Sequence, residues 1–290
     1  MGSRDDVARY YDRNTDRFLR FGGGAAALAI HRELWAPGIR TAAEAKRHVN
    51  RLLADAIEAR HPGAPTVLDL GCGVGGTLLD LAARFPDGRM HGVTLSRRQV
   101  DLGRELADAR GLGERCTVHH GDFEQPEPAP ELAQLQADAG VSVEALAHAG
   151  DASAFFRTAA ARLRRPRGVL LVVDDFLARE EAELAPSELR LVRDFTAGWR
   201  LGALQSPRGA AALAAEAGLE LVDDRDLTPL IRVGRPRDLA IRAVAPLFSL
   251  LGLVRIPFFG NMIGGNALQT GIRKGVFDYR MLTFELTGPE

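Results

Sequence analysis

The sequence predicts an α/β protein: a seven-stranded, mostly parallel sheet with helices on both faces and an added helical cap. Three observations predict it. Short apolar runs bounded by turn residues alternate with helical patterns from about residue 66 to 174, the spacing of strand–helix–strand units. A glycine-rich loop within residues 67–76 (VLDLGCGVGG) joins the first run to the first helix, where such sheets take ligands. The first 62 residues carry helical patterns and no strand, as an appended layer would.

In chain order, residues 4–21 mix charges with Tyr10, Tyr11, Phe18 and Phe21 and read as an amphipathic helix that Gly22, Gly23 and Gly24 end. Helical patterns follow around 25–36 and 42–60, the second closed by His61-Pro62-Gly63. Strands are expected at 66–70, 90–95, 116–120, 138–143 and 168–174, with helices at 76–85, 96–110 and 151–164 between them. Beyond this core come helical stretches at 179–198 and 207–216 and a sixth strand at 219–223. A Pro/Arg-rich insertion with an apolar helix follows at 231–275, and the alternating run 276–286 is the last strand. The expected organisation is an N-terminal helical cap over 1–62 and a second unit over 63–290, with cap insertions at about 177–216 and 231–275.

Hydrophobic residues make up 46% of the 290 and charged residues 26%, a globular balance. The net charge is −1, with no basic excess or long basic run, which argues against a nucleic-acid partner. Lys46 and Lys274 are the only lysines among 37 Lys and Arg, so arginine clusters are expected by chance and usually face solvent. Two cysteines, Cys72 and Cys116, provide neither a metal-ligand spacing nor a disulfide framework. A cytoplasmic location is expected, because the first residues show no apolar leader. The longest apolar stretch, 239–255, is interrupted by Arg242 and Pro246 and falls short of the ~20 residues of a membrane span.

The chemistry concentrates in four motifs. In VLDLGCGVGG, Gly71, Gly73 and Gly75 let the backbone turn tightly and a ligand approach closely. Their spacing is G-x-G-x-G, not the G-x-G-x-x-G of dinucleotide sites. Asp69 stands just before them, and a carboxylate there suits a ligand with an amino group better than a pyrophosphate. This segment resembles the first motif of class I S-adenosylmethionine-dependent methyltransferases, whose fold is Rossmann-like. The resemblance covers residues 65–176 well and implies that Asp69, Gly71, Cys72, Gly73 and Gly75 hold the nucleoside and methionine ends of that cofactor. The segment GVTLSRRQV, 92–100, is similar to the branch with cyclopropane fatty acid synthases, sterol methyltransferases and prenyl diphosphate C-methyltransferases. It replaces the acidic residue that commonly ends the second strand by Thr94, Leu95 and Ser96, followed by Gln99, and the resemblance assigns these to ribose and methionine. Ser96 is equally suited to cap a helix. HHGDFEQ, 119–125, implies an adenine contact at Asp122 with Phe123 flanking the ring; a loop Asp also satisfies its own backbone. Val141, on the fourth strand, belongs to the same implied cofactor set.

The fourth motif, 137–151, places Glu144 and His148 just beyond that strand, four apart and on one face if the turn is helical. His148 also suits a helix cap or the core. A carboxylate among apolar residues is costly unless solvated or functional. Methylating an alkene creates a carbocation that must be stabilised and then lose a proton, and one carboxylate does both. The resemblance therefore implies C-methylation with Glu144 and His148 catalytic, either by a direct base or through a shared bicarbonate. Tyr10, Tyr11, Phe176, Trp199 and Tyr279 are candidate substrate contacts under an apolar cap. Arg232, Arg235, Arg237, Arg242, Arg255, Arg273 and Lys274 are candidates to hold a diphosphate, with Mg²⁺ entering as that group's counterion. The reading that follows is a C-methyltransferase of secondary metabolism acting on a small lipophilic, isoprenoid acceptor, with a homodimer as a candidate assembly. The alternatives are an O- or N-methyltransferase of an aromatic or polyketide product, a cyclopropane synthase-like enzyme, and a cofactor-binding protein serving as a partner or cyclase. A nicotinamide-dependent oxidoreductase is the weakest, lacking both the glycine spacing and the acidic residue after the second strand.

Overall fold

All seven apolar runs meet in one sheet in the computed structural model, which describes residues 31–125, 129–202, 204–234 and 257–287. The strands are β1 (Thr66–Leu70), β2 (Arg89–Thr94), β3 (Cys116–His120), β4 (Ala139–Val143), β5 (Val169–Leu177), β6 (Leu219–Asp226) and β7 (Phe277–Leu286), ordered β3-β2-β1-β4-β5-β7-β6. β7 runs antiparallel to both neighbours; the other ladders are parallel. The order reverses between β1 and β4, so the crevice above their carboxyl ends is the place where such sheets bind ligands. β5 is buried along its whole length, which is why it reads as a continuous apolar run broken only by Asp174 and Asp175.

One face of the sheet carries α1 (Ala42–Arg60), α2 (Gly76–Arg84) and α3 (Arg97–Asp108). α1 starts at a capping box: Thr41 Oγ1 accepts from the Glu44 N–H at 3.2 Å and Glu44 Oε2 from the Thr41 N–H at 2.9 Å. Its stripe of Val49, Leu52, Leu53 and Ile57 shares a core with Val67, Val141 and Val173. The other face carries α4 (Ala152–Arg162) and α6 (Pro207–Glu216), where Phe155, Phe156, Ala210 and Ala214 meet Leu170, Phe176 and Phe284. A third cluster, of Val192, Phe195, Leu268, Val276 and Phe277, joins α5 (Pro186–Trp199) to α7 (Pro257–Arg273). These two helices approach so closely that a Cβ on Gly198 would lie 2.5 Å from the Gly260 carbonyl oxygen and one on Gly264 2.5 Å from Trp199 Cδ1. Among the described residues no helix is long and apolar enough to cross a membrane.

The element expectations hold for all seven strands and need four corrections elsewhere. Residues 31–36 are not helical; Leu34 forms an antiparallel bridge with Ile231 instead. The stretch 179–198 is a short turn, Glu181–Glu183, and then α5, because Pro186 takes the first helical position and keeps Ala185 extended at ψ 156°. α1 and α6 belong to the layers covering the sheet, so neither is part of a cap. The fourth concerns Glu144 and His148 and is given below. The helix expected at 4–21 lies outside the described residues, as does 235–256 within the insertion.

Candidate active site

The glycine loop leaves β1 in left-handed backbone at Gly71, Gly73 and Gly75, with φ of 96°, 56° and 79°. The N–H groups of Gly71 and Cys72 both donate to the Val93 carbonyl at 3.0 Å, which fixes the turn to β2. A Cβ at Gly71 would strike Ala145 Cβ at 2.4 Å, so the loop touches the segment after β4. A Cβ at Gly73 would meet only Gln99 Nε2, at 4.0 Å: there the backbone borders open space. Asp69 lies beneath, 3% exposed, and no hydrogen bond to its carboxylate is made among the described residues. Burial pushes its carboxyl up to about 7. A buried acid without a partner, under an open glycine cradle, fits a ligand that brings its own ammonium group. Cys72 is buried, and burial raises its thiol well above the usual range.

Beside the loop, Thr94, Ser96 and Gln99 lock together. Thr94 Oγ1 donates to Gln99 Oε1 at 2.6 Å and accepts from the Ser96 N–H at 3.3 Å, while Ser96 Oγ caps α3 by accepting from the Gln99 N–H at 3.2 Å. This arrangement leaves the Gln99 amide nitrogen turned toward Gly73. Leu95 is half-buried next to them, its carbonyl against His120 Nε2 at 3.2 Å. Asp122 Oδ1 accepts from the Glu124 N–H at 2.9 Å, closing its own turn, and the Phe123 ring lies 3.4 Å from the Cβ position of Gly71. Val141 sits fully buried opposite Asp69 in the β1–β4 register, supporting the floor of the crevice.

Past β4 the chain turns sharply. Glu144 has a φ of 52°, a left-handed conformation unusual for a residue with a side chain, and its N–H donates to the Val173 carbonyl at 2.8 Å. Only Leu146–His148 forms a helical turn, of the 3-10 kind, so Glu144 and His148 do not share a helical face as the spacing suggested. They still interact electrostatically: burial lowers the His148 pKa, and Glu144 and the Arg200 backbone pull it back upward. Glu144 Oε1 accepts twice, from the Tyr279 hydroxyl at 2.9 Å and from the Arg32 backbone N–H at 2.8 Å. Its Oε2 takes no hydrogen bond among the described residues, and the side chain keeps 21% exposure.

Around this carboxylate lie groups that motif reasoning did not select. The Arg32 guanidinium pairs with Asp175, stands 4.0 Å from Glu144 Oε1 through Nε, and lies 5.4 Å from the ring centres of both Trp199 and Tyr279. Asp175 and Tyr279 are direct cross-strand partners of β5 and β7. Burial pushes Asp175 up to about 6 against the pull of Arg32, and Asp174 up to about 8, where its carboxylate accepts from the N–H groups of Ala147 and Asp175. Burial likewise raises the Tyr279 hydroxyl well above its usual range, and burial lowers His31. The signal for Asp174 and Asp175 was present, two acids ending an otherwise apolar strand; Arg32, in a stretch that reads as helix, had none.

Of the candidate substrate contacts, Trp199 and Tyr279 reach this cluster. Phe176 does not: it is 1% exposed in the core on the opposite sheet face, one residue out of phase with Asp175. Tyr10 and Tyr11 lie outside the described residues, as do Arg235, Arg237, Arg242 and Arg255. Arg232, Arg273 and Lys274 are exposed, with Arg232 stacked 3.6 Å above the Trp35 ring. No cluster of three or more His, Cys, Asp or Glu able to hold a metal occurs among the described residues.

A family model described as a methyltransferase domain matches residues 67–168. The sterol 24-C-methyltransferase of Eremothecium gossypii is 28% identical over 217 residues, covering 75% of this chain and 55% of that protein. The dimethylglycine N-methyltransferase of Parasynechococcus marenigrum is 33% identical over 176 residues, covering 59% of each. The chain thus spans little more than half the length of these relatives. Among solved structures, a geranyl diphosphate methyltransferase in complex with GPP and sinefungin superposes with a TM-score of 0.73 at 20% identity, over 97% of this chain and 98% of that one, a likeness of fold.

Proposed function

We propose that this chain, whose residues 67–168 match a methyltransferase domain, is a class I S-adenosylmethionine-dependent methyltransferase that methylates carbon in a lipophilic, isoprenoid acceptor, with Glu144 facing the reacting centre. The observation that carries this reading is Glu144 itself: a strained carboxylate beside the glycine loop, one oxygen held by two donors and the other unbonded. The residues fit the cofactor. Gly71, Gly73 and Gly75 would border its nucleoside and methionine portions, Asp69 would meet the ammonium end, Gln99 with Thr94 and Ser96 the ribose, and Asp122 with Phe123 the adenine. Bound there, S-adenosylmethionine supplies an electrophilic methyl group on a sulfonium.

The chain's own part is then placement and charge. Holding the acceptor's double bond in line with the methyl removes most of the entropic barrier. Attack by the π electrons leaves positive charge on the acceptor, which the Glu144 carboxylate stabilises. Loss of the adjacent proton to Glu144 Oε2 restores the alkene. His148, kept toward its neutral form by burial, would orient the carboxylate rather than compete for its charge. A diphosphate on the acceptor would anchor it remotely through the arginines of 231–274, and Mg²⁺ would supply further counter-charge to that group.

Labelled S-adenosylmethionine offered with prenyl diphosphates, prenyl alcohols and aromatic acceptors tests this. The expected result is label on carbon of the diphosphate, slower reaction of the free alcohol, and inhibition by EDTA. Glu144→Gln should lower turnover by ~10²–10⁴-fold, the range for a lost general base, with cofactor affinity nearly unchanged. Label on oxygen or nitrogen of an uncharged acceptor, with full activity in Glu144→Gln, would move the reading to an O- or N-methyltransferase.

A further inference from the structure

Residues 31–35 run as an extended segment past the carboxyl edge of the sheet. One end is fastened independently of the site: Leu34 is fully buried, bridges Ile231 and donates to the Ala45 carbonyl at 3.0 Å, and Trp35 donates to the Leu230 carbonyl at 2.8 Å. The other end meets the site through Arg32, whose side chain pairs with Asp175 and whose backbone N–H reaches Glu144 Oε1. His31 makes a weaker approach, Nε2 to Thr77 Oγ1 at 3.5 Å. Glu144 thus takes one donor from this segment and one from β7, two parts of the chain 247 positions apart.

We propose that Arg32 is a positioning residue: its ion pair with Asp175 latches segment 31–35 onto the sheet, so that its own backbone N–H fixes Glu144 Oε1 and leaves Oε2 for the acceptor. This deepens the role given above to Glu144 and rests on it. The charges around Arg32 require such a cation. Burial is the largest single effect on the Arg32 guanidinium and opposes its charge, but Asp175, Glu144, the Tyr279 hydroxyl and Asp174 together outweigh it. His31 and His148, the other bases here, are both held toward neutrality by burial. Without Arg32, Glu144 and Asp175 would face each other uncompensated. A left-handed Glu144 also persists only when its surroundings over-determine it. Its N–H bond to Val173 fixes the backbone, and the latch fixes the side chain.

The test is a double-mutant cycle of Arg32→Met and Asp175→Asn in the full chain, read by kcat, KM and calorimetric cofactor binding. If the two residues act only as one latch, each variant should lower kcat by about 10–100-fold, the loss expected from misplacing a reacting group by about 1 Å. The double variant should be no worse than either single one. Cofactor affinity should stay within about twofold, and Arg32→Lys should recover part of kcat. Additive losses, unchanged kcat, or loss of cofactor affinity in step with kcat would overturn the proposal. Hydrogen exchange of the Arg32 amide gives an answer that needs no turnover: Asp175→Asn and Glu144→Gln should each speed it by about tenfold or more, a change in opening free energy of about 1.4 kcal/mol. Unchanged exchange would overturn the latch, whereas fast exchange in an enzyme that methylates no carbon would leave the latch standing and remove only the assignment of Glu144 as base.

Discussion

Two glycines of one loop serve different ends, and a single methyl group separates them. At Gly71 a Cβ would sit 2.4 Å from Ala145 Cβ in left-handed backbone, so Gly71→Ala should cost the fold itself about 2–4 kcal/mol by overpacking and strain. At Gly73 the same position is open, so Gly73→Val should cost about 1–2 kcal/mol of backbone strain and yet abolish cofactor binding by filling the cradle. Chemical denaturation and calorimetry on the two variants check this; equal effects on stability and binding would merge the two roles. At this scale the site was legible in part. Asp69, the glycines, Thr94, Ser96, Gln99 and Asp122 sit in short contiguous motifs, where one turn of backbone sets the geometry. Arg32 and Asp175 meet only through tertiary structure, from opposite ends of a 143-residue separation, and nothing local marks their pairing.

The elements followed the pattern wherever the sheet decides it. Strands buried on both faces, such as β4 and β5, read as apolar runs bounded by turn residues, while β6, mostly exposed, was expected only to residue 223 and runs on to Asp226. Helical propensity misled where tertiary pairing overrides it: residues 31–36 carry apolar residues at helical spacing, but Leu34 gains a strand partner in Ile231 and a fully buried position. The meeting of α5 and α7 was equally invisible, because it depends on the absence of side chains at Gly198 and Gly264. Gly264→Ala should drive Trp199 from its place, 2.5 Å from the new Cβ, and push the helices apart. The expected outcome is a lower melting temperature and a shifted tryptophan emission, with the glycine loop still competent to bind cofactor. An unchanged Trp199 environment would show that α7 yields without moving α5.

For the molecule as a whole, three buried acids set a pH dependence. Asp69, Asp174 and Asp175 have folded-state values of about 7, 8 and 6, all raised by burial above the unfolded value of about 3.9. Their protonated forms are favoured in the fold, so the stability they allow is complete below about pH 4 and is lost as pH rises through about 6–8. The ligand-free protein should therefore melt progressively lower between pH 5 and pH 9. Asp174→Asn, which keeps an acceptor for the Ala147 N–H, should flatten that slope and gain on the order of 1–3 kcal/mol at pH 8 while changing little at pH 4. A parallel slope in the variant would assign the loss to other groups. The strand order has a consequence of another kind, in synthesis. β7 follows β6 in the chain, yet it lies between β5 and β6 and contributes Tyr279 to the site. Until residue 286 has left the ribosome, β5 presents an unpaired, mostly apolar edge and β6 has no ladder to join. The growing chain thus carries this open edge throughout the synthesis of residues 178–286, and Glu144 gains its phenol partner only when β7 emerges. Any pause late in translation would expose an edge suited to pairing with another chain, and chaperone demand should peak there.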